Sequence, residues 1–261
     1  MSDEPLPLAE RWAALARLTP ARIGLGRSGA SLPTREVLRF GLAHAQARDA
    51  VHIPFRAEEV ATALATLPVE TVQVESAAPS RDLYLRRPDL GRRLSAESRV
   101  ALAGRRGDFD LALVVADGLS STAIHQNAAP FIAGLLPLLR RQGLRLAPLV
   151  IASQARVALG DEVGEALGAR AVAVLIGERP GLSSPDSLGA YLTFAPRPGL
   201  SDAARNCISN IRPGGLSYEQ AAFKLSWLIA EAFRRSLTGV DLKDESDLAL
   251  EAVTPDKLPP A

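Results

Sequence analysis

The strongest constraint in this sequence is an alternation. Three nearly unbroken apolar runs, "FDLALVVADG" (109–118), "LRLAPLVIAS" (144–153) and "RAVAVLIGE" (170–178), are separated by segments of helical pattern. Those segments are "LSSTAIHQNAAPFIAGLLPLLRRQG" and "ARVALGDEVGEALGA". A strand that is apolar on both faces must be covered on both, and helices between successive strands supply the cover in a parallel sheet. The expectation is an α/β fold, a Rossmann-like doubly wound and mostly parallel sheet over residues 100–240. "AYLTFAP" (190–196) is its fourth strand, and the sheet begins at Asp110. "SYEQAAFKLSWLIAEAFRRSLTG" (217–239) is an amphipathic helix that closes the domain, with Gly239 as its C-cap.

Residues 19–99 read as a mainly helical N-terminal region. A helix is expected from Thr34 to His52, with Thr34 as N-cap and Glu36 in the first turn, and a second over "RAEEVATALATL". "VETVQVES" (69–76) alternates as a strand, and Pro79 and Pro88 then exclude a long regular element. Residues 1–18 form an amphipathic arm, with Leu8, Trp12, Leu15 and Leu18 at helical spacing. Either it packs on its own body or it docks on a partner. The charged, Pro-rich tail 241–261 is expected to be mobile.

The chain has 261 residues, 47% of them hydrophobic, and a net charge of +1, so nothing in the balance calls for nucleic acid or an acidic membrane. Its start lacks the features of a secretory signal and no run is long enough to span a bilayer, which points to the cytosol. The single cysteine, Cys207, excludes an internal disulfide and a thiolate-rich zinc site, and no metal-ligand set stands out. With no nearby histidine or second cysteine it is expected to be a buried small side chain rather than a nucleophile. His125 likewise lacks partners and is expected to be structural or interfacial. Eight arginines between Arg81 and Arg106 form either a solvated face or a site for carboxylates or a phosphate.

"GLGRSG" (24–29) satisfies the spacing G-x-G-x-x-G of dinucleotide-binding turns. The mechanism behind that spacing needs a buried strand before it, a helix starting on it and an acid about 20 residues on. "RLTPAR" is a poor buried strand and the next helix starts only at Thr34, so a glycine-rich turn running close to other structure is the better account. An NAD(P)-dependent oxidoreductase is the alternative function kept from this motif.

In an open parallel sheet ligands sit beyond the carboxyl ends of the strands. That places "ADGLSS", "ASQARV" and "GERPGLSS" around one site, with Asp117, Ser120, Ser121, Gln154 and Glu178 as candidate contacts. Ser120 and Ser121 are equally readable as helix caps, and Asp117-Gly118 as turn chemistry. Glu178, directly after an apolar strand, needs a partner.

Four segments together resemble the small subunit of ethanolamine ammonia-lyase: "ARIGLGRSGASLPTREVLRFGLAHAQARDAVH", "LVVADGLSSTAIHQNA", "IGERPGLSSPDSLGAYLTF" and "RNCISNIRPGGLSYEQAAFKLSWL". They occur in the family's order from about Thr19 to Asp241. The resemblance implies an adenosylcobalamin-dependent lyase that converts ethanolamine to acetaldehyde and ammonia by a radical route. Its large subunit, a TIM barrel, would hold the catalytic residues, and this chain would close the cobalamin site at the subunit interface. The implied cobalamin contacts are Val157, Glu178 and Cys207, with no catalytic residue and no metal ligand in this chain. D-x-H-x-x-G, whose histidine replaces the cofactor's base on cobalt in other cobalamin proteins, is missing after Asp117, which implies base-on binding. The resemblance also implies a cytoplasmic hetero-oligomer, with a bacterial microcompartment as a further setting.

Overall fold

The computed structural model describes residues 8–248. The chain runs α1 (Leu8–Ala16), α2 (Thr34–His52), α3 (Ala57–Leu64), β1 (Thr71–Glu75), α4 (Arg81–Arg86), α5 (Ala96–Ala103), β2 (Phe109–Ala116), α6 (Ser121–Arg141) and β3 (Leu149–Ser153). It continues through α7 (Leu159–Leu167), β4 (Ala169–Gly177), β5 (Leu188–Phe194), β6 (Asn206–Ile211) and α8 (Tyr218–Arg235).

The six strands form one sheet in the order β1-β3-β2-β4-β5-β6. The two faces of β2 explain its unbroken apolar run. Leu111, Leu113 and Val115 face a core shared with α6 and α8, while Ala112, Val114 and Ala116 face a second core shared with α5 and α7. Glycines let the second layer approach closely. A Cβ on Gly160 of α7 would lie 2.3 Å from Val174, and one on Gly164 2.4 Å from Pro196.

The fold is α/β as expected, with helices on both faces of the sheet, and the sheet is mixed. β1, β3, β2 and β4 are parallel, whereas β4–β5 and β5–β6 pair antiparallel. The reason is local: residues 178–187 contain no helix to carry the chain across a face, so it returns as a hairpin. The sheet also does not begin at Asp110, because β1 is its edge strand, parallel to β3. β6 went unread in the sequence; only Ile208 and Ile211 of it are buried.

Some ends differ from expectation. Pro33, not Thr34, precedes α2 as its cap residue, without a side-chain hydrogen bond. α8 ends on Ser236 in the left-handed conformation, while Gly239 (φ +87°) opens a short 3-10 turn. Past Asp241 the described tail is anchored: Leu242 and Ser246 are buried, and Lys224 donates to Ser246 and Asp247. The mobility expected of residues 249–261, like the first residues of the arm (1–7), lies outside the described residues. Among the described residues no helix is long and apolar enough to cross a membrane.

Candidate functional site: a cleft at the strand ends

The parallel strands end on Glu75, Ser153, Ala116 and Gly177, and the loops that follow β2, β3 and β4 meet there. The hairpin brings the start of β5 and the end of β6 to the same edge, since Leu188 pairs with both Gly177 and Ile211. Between them lies a cleft of about 440 Å³ lined by Tyr84, Gly118, Leu119, Arg156, Val157, Ile176, Gly177, Glu178, Arg179, Tyr191 and Ser209. Its floor is a close contact between two loops. A Cβ on Gly118 (φ +58°) would sit 2.2 Å from the Gly177 carbonyl, which accepts a 2.8 Å hydrogen bond from Leu119 N–H.

Asp117 is buried behind this floor. Its Oδ1 accepts from Gly118 N–H at 3.0 Å and Ala155 N–H at 2.9 Å, tying the β2 loop to the β3 loop. Its Oδ2 accepts from Arg81 Nη1 at 3.1 Å. Desolvation outweighs these donors and pushes the carboxyl up from 3.8 to about 6. Arg81 also donates to the Gly118 carbonyl at 2.8 Å and, through Nε, to the Val51 carbonyl near the end of α2 at 2.9 Å. Tyr84, fully buried, lies between Arg81 and Arg156, whose guanidinium carbons stand 4.8 and 4.2 Å from its ring centre. Its hydroxyl donates to the Ala155 carbonyl at 3.1 Å, and burial raises its pKa well above the usual value.

Glu178 has the partners its position demands. Ser187 Oγ donates to Oε2, Ser209 Oγ donates to Oε1 at 2.6 Å, and Asn210 N–H donates to Oε2 at 3.2 Å. One carboxylate therefore closes the β4–β5 loop onto β6. Val157 lines the opposite wall, in the turn before α7. Cys207 faces Tyr191 across the β5–β6 pair. Contrary to the expectation of a buried side chain, it is exposed, because β6 is the edge strand and alternates its faces. Its thiol is nevertheless pushed up by desolvation, partly offset by the neighbouring Tyr191.

The other candidates divide between structural roles and buried groups without a partner. Ser120 caps α6, accepting from Ala123 N–H, and donates to the Pro185 carbonyl at 2.7 Å. Ser121 Oγ and Gln154 Oε1 are buried without a hydrogen-bond partner, and Gln154 holds a left-handed φ of +56°. His125 accepts from Arg56 N–H at 3.1 Å and stacks on Phe55, and burial lowers its pKa. The arginine run divides: Arg81 turns inward to the floor of the cleft, while Arg86, Arg87 and Arg99 form exposed ion pairs. Sequence reasoning missed Arg81, Tyr84, Arg156 and Ser209; a lone inward arginine within a basic run carries no periodic signal.

The glycine segment lies outside the sheet. Gly24, Gly26 and Gly29 have φ of +59°, +73° and +62°, and a Cβ on Gly24 would fall 2.7 Å from Trp12 Cβ. No strand leads into the turn and α2 starts only at Thr34, so the parts that bind a pyrophosphate are not assembled there. What the turn runs close to is the arm.

Fold and site thus define an α/β protein with a cleft built from the loops at one edge of a mixed sheet. Residues 9–243 match the ethanolamine ammonia-lyase light chain family (EutC). The chain is 56% identical over 253 residues to the ethanolamine ammonia-lyase small subunit of Ralstonia nicotianae, covering 95% of this chain and 94% of that protein. It is 57% identical over 254 residues to the small subunit from Xanthomonas campestris pv. campestris, covering 96% and 93%. With that of Azotobacter vinelandii it shares 56% over 253 residues, covering 95% and 94%. The chain belongs to the ethanolamine ammonia-lyase light chain family.

Proposed function

We propose that this chain is the small subunit of an adenosylcobalamin-dependent ethanolamine ammonia-lyase and forms one wall of the cobalamin site against a large catalytic subunit. The observation that carries the site is the cleft itself, which holds Val157 and Glu178 and is flanked by Cys207 beside Tyr191. Its donor set suits a corrin rim of neutral amides. Glu178 Oε1 and the Ser209 hydroxyl offer polar contacts, Val157 and Ile176 apolar ones, and Tyr191 an aromatic edge. A corrin with its side chains and nucleotide loop is larger than about 440 Å³, so this chain covers part of it and a partner encloses the rest.

When bound, adenosylcobalamin supplies the radical chemistry through its cobalt–carbon bond. The residues of this chain orient the cofactor and exclude water from it. Glu178, which accepts from Ser187, Ser209 and Asn210, is held in one orientation as an acceptor. Base-on binding belongs to the same reading, because no histidine follows Asp117 at the spacing that would bring it to cobalt.

The partner surface is the N-terminal third. Leu18, Leu32, Val37, Leu38, Phe40 and Leu42 are all exposed, a concentration that marks an interaction face. On this reading the complex works in the cytoplasm, a microcompartment being one setting for it. The deciding experiment compares ethanolamine deamination by the chain alone, by a candidate large subunit alone, and by the two combined with adenosylcobalamin. Activity is expected only in the combination. Activity of the chain alone, or saturable NADH binding lost on Gly26→Ala, overturns the proposal in favour of a different enzyme.

A further inference from the structure

The cleft holds a cation with no counter-ion. Arg156 stands between β3 and α7 and lines the cleft beside Val157. It is held rigidly: its backbone N–H donates to the Gly91 carbonyl at 2.7 Å, and Nη2 donates to the Tyr84 carbonyl at 3.2 Å. Its guanidinium lies 4.2 Å over the Tyr84 ring. Gly91 has no room for a side chain, since a Cβ there would meet the Tyr84 ring at 2.9 Å and Arg156 Cγ at 3.0 Å.

Despite this fixation the charge is unanswered. Among the described residues no carboxylate lies within 4 Å of Arg156, and its Nε is buried without an acceptor. The nearby acids are committed elsewhere, Asp117 to Arg81 and the two loop amides, Glu178 to Ser187, Ser209 and Asn210. Arg179, at the rim of the same cleft, also has no acidic partner among the described residues. A half-buried guanidinium fixed against a ring, with Nη2 committed to the Tyr84 carbonyl and Nη1 without a partner among the described residues, is arranged to donate to an oxyanion.

We infer that Arg156 is an anion anchor and that it takes the phosphodiester of the cofactor's nucleotide loop, with Arg179 at the rim adding to the field. The inference rests on the cobalamin reading above and deepens it. The corrin periphery is made of neutral amides, so the phosphodiester is the part of the ligand that answers a fixed positive charge. Arg156 thereby sets which end of the cofactor points into this subunit.

The test is equilibrium binding to the co-purified complex with the large subunit, using cyanocobalamin and cobinamide, which lacks the phosphate and the base. Arg156→Gln is expected to weaken cyanocobalamin binding about 10- to 100-fold, the span of a charge-assisted hydrogen bond, and cobinamide binding less than about threefold. Arg156→Lys, which keeps the charge and loses the fork, falls between and carries the comparison if the glutamine variant does not assemble. Equal weakening of both ligands, or no weakening of cyanocobalamin, overturns the inference while leaving the cobalamin reading intact. A wild-type complex that binds neither ligand overturns both.

Discussion

Replacing Asp117 by asparagine tests how the floor of the cleft is held. Asparagine has the shape of the protonated acid and keeps one oxygen for the Gly118 and Ala155 amides. The native carboxyl is pushed from 3.8 to about 6 by burial. Between those values the folded chain holds a proton that the unfolded chain has released. Stability therefore falls as pH rises through that window, and the loss is complete above about pH 6. At about 1.4 kcal/mol per pH unit the deficit is on the order of 3 kcal/mol. Asparagine does not titrate, so its contribution is flat. Urea unfolding of both proteins in half-unit pH steps, from about 4 to about 7.5, reads the difference, and other titrating groups cancel between them. Asparagine also turns its NH2 group toward Arg81 Nη1, a cost present at every pH. The expected signal is therefore the difference between the profiles, which should move by about 3 kcal/mol in the variant's favour from the acid end to the neutral end. Parallel profiles, or a difference that moves the other way, would refute this and mean that the ion pair with Arg81 outweighs the desolvation of the carboxylate.

Other perturbations probe other parts of the molecule. Gly118→Ala forces a Cβ to 2.2 Å from a carbonyl at φ +58°; a loss of about 3 kcal/mol in thermal unfolding is expected, and an unchanged midpoint contradicts the packing described. Arg205 and Asp161, with side chains 2% and 1% exposed, make a two-pronged pair at 2.6 and 2.7 Å. Arg205→Met strands a buried carboxylate and should cost about 3–5 kcal/mol in urea, most of it recovered by adding Asp161→Leu; a double variant as weak as the single one argues against that. Leu38→Asp with Phe40→Asp, both exposed, should leave unfolding unchanged and reduce association with the large subunit about tenfold or more. Undiminished co-purification would move the docking face elsewhere.

The central strands were legible because burial on both faces leaves an unbroken apolar run, and β2, β3 and β4 show it. The hairpin into β5 was also written in the sequence, as the missing helix between Glu178 and Ser187, but an apolar run alone does not carry strand direction. β6 was not legible: "NCISNI" buries only Ile208 and Ile211, too few to set a period. The strand-end argument named the loops that line the cleft, and Glu178 announced its need for partners. Those partners, Ser209 and Asn210, are 31 and 32 residues away and come from the unread strand. Arg81 was hidden in a run where its neighbours face water, because only tertiary packing decides which arginine turns inward.

The carboxylate that joins the β4–β5 loop to β6 also fixes a timetable. Protein synthesis delivers β2, β3 and β4 first, and the floor at Gly118 and Gly177 can form as soon as they have emerged. The far wall cannot, because Ser209 and Asn210 belong to β6, the last of the six described strands to emerge. A ribosome-bound chain stopped before residue 209 would carry half a cleft and a Glu178 without two of its three donors. The cleft is thereby completed only once β6 has emerged, and a chain released before that point lacks one of its walls.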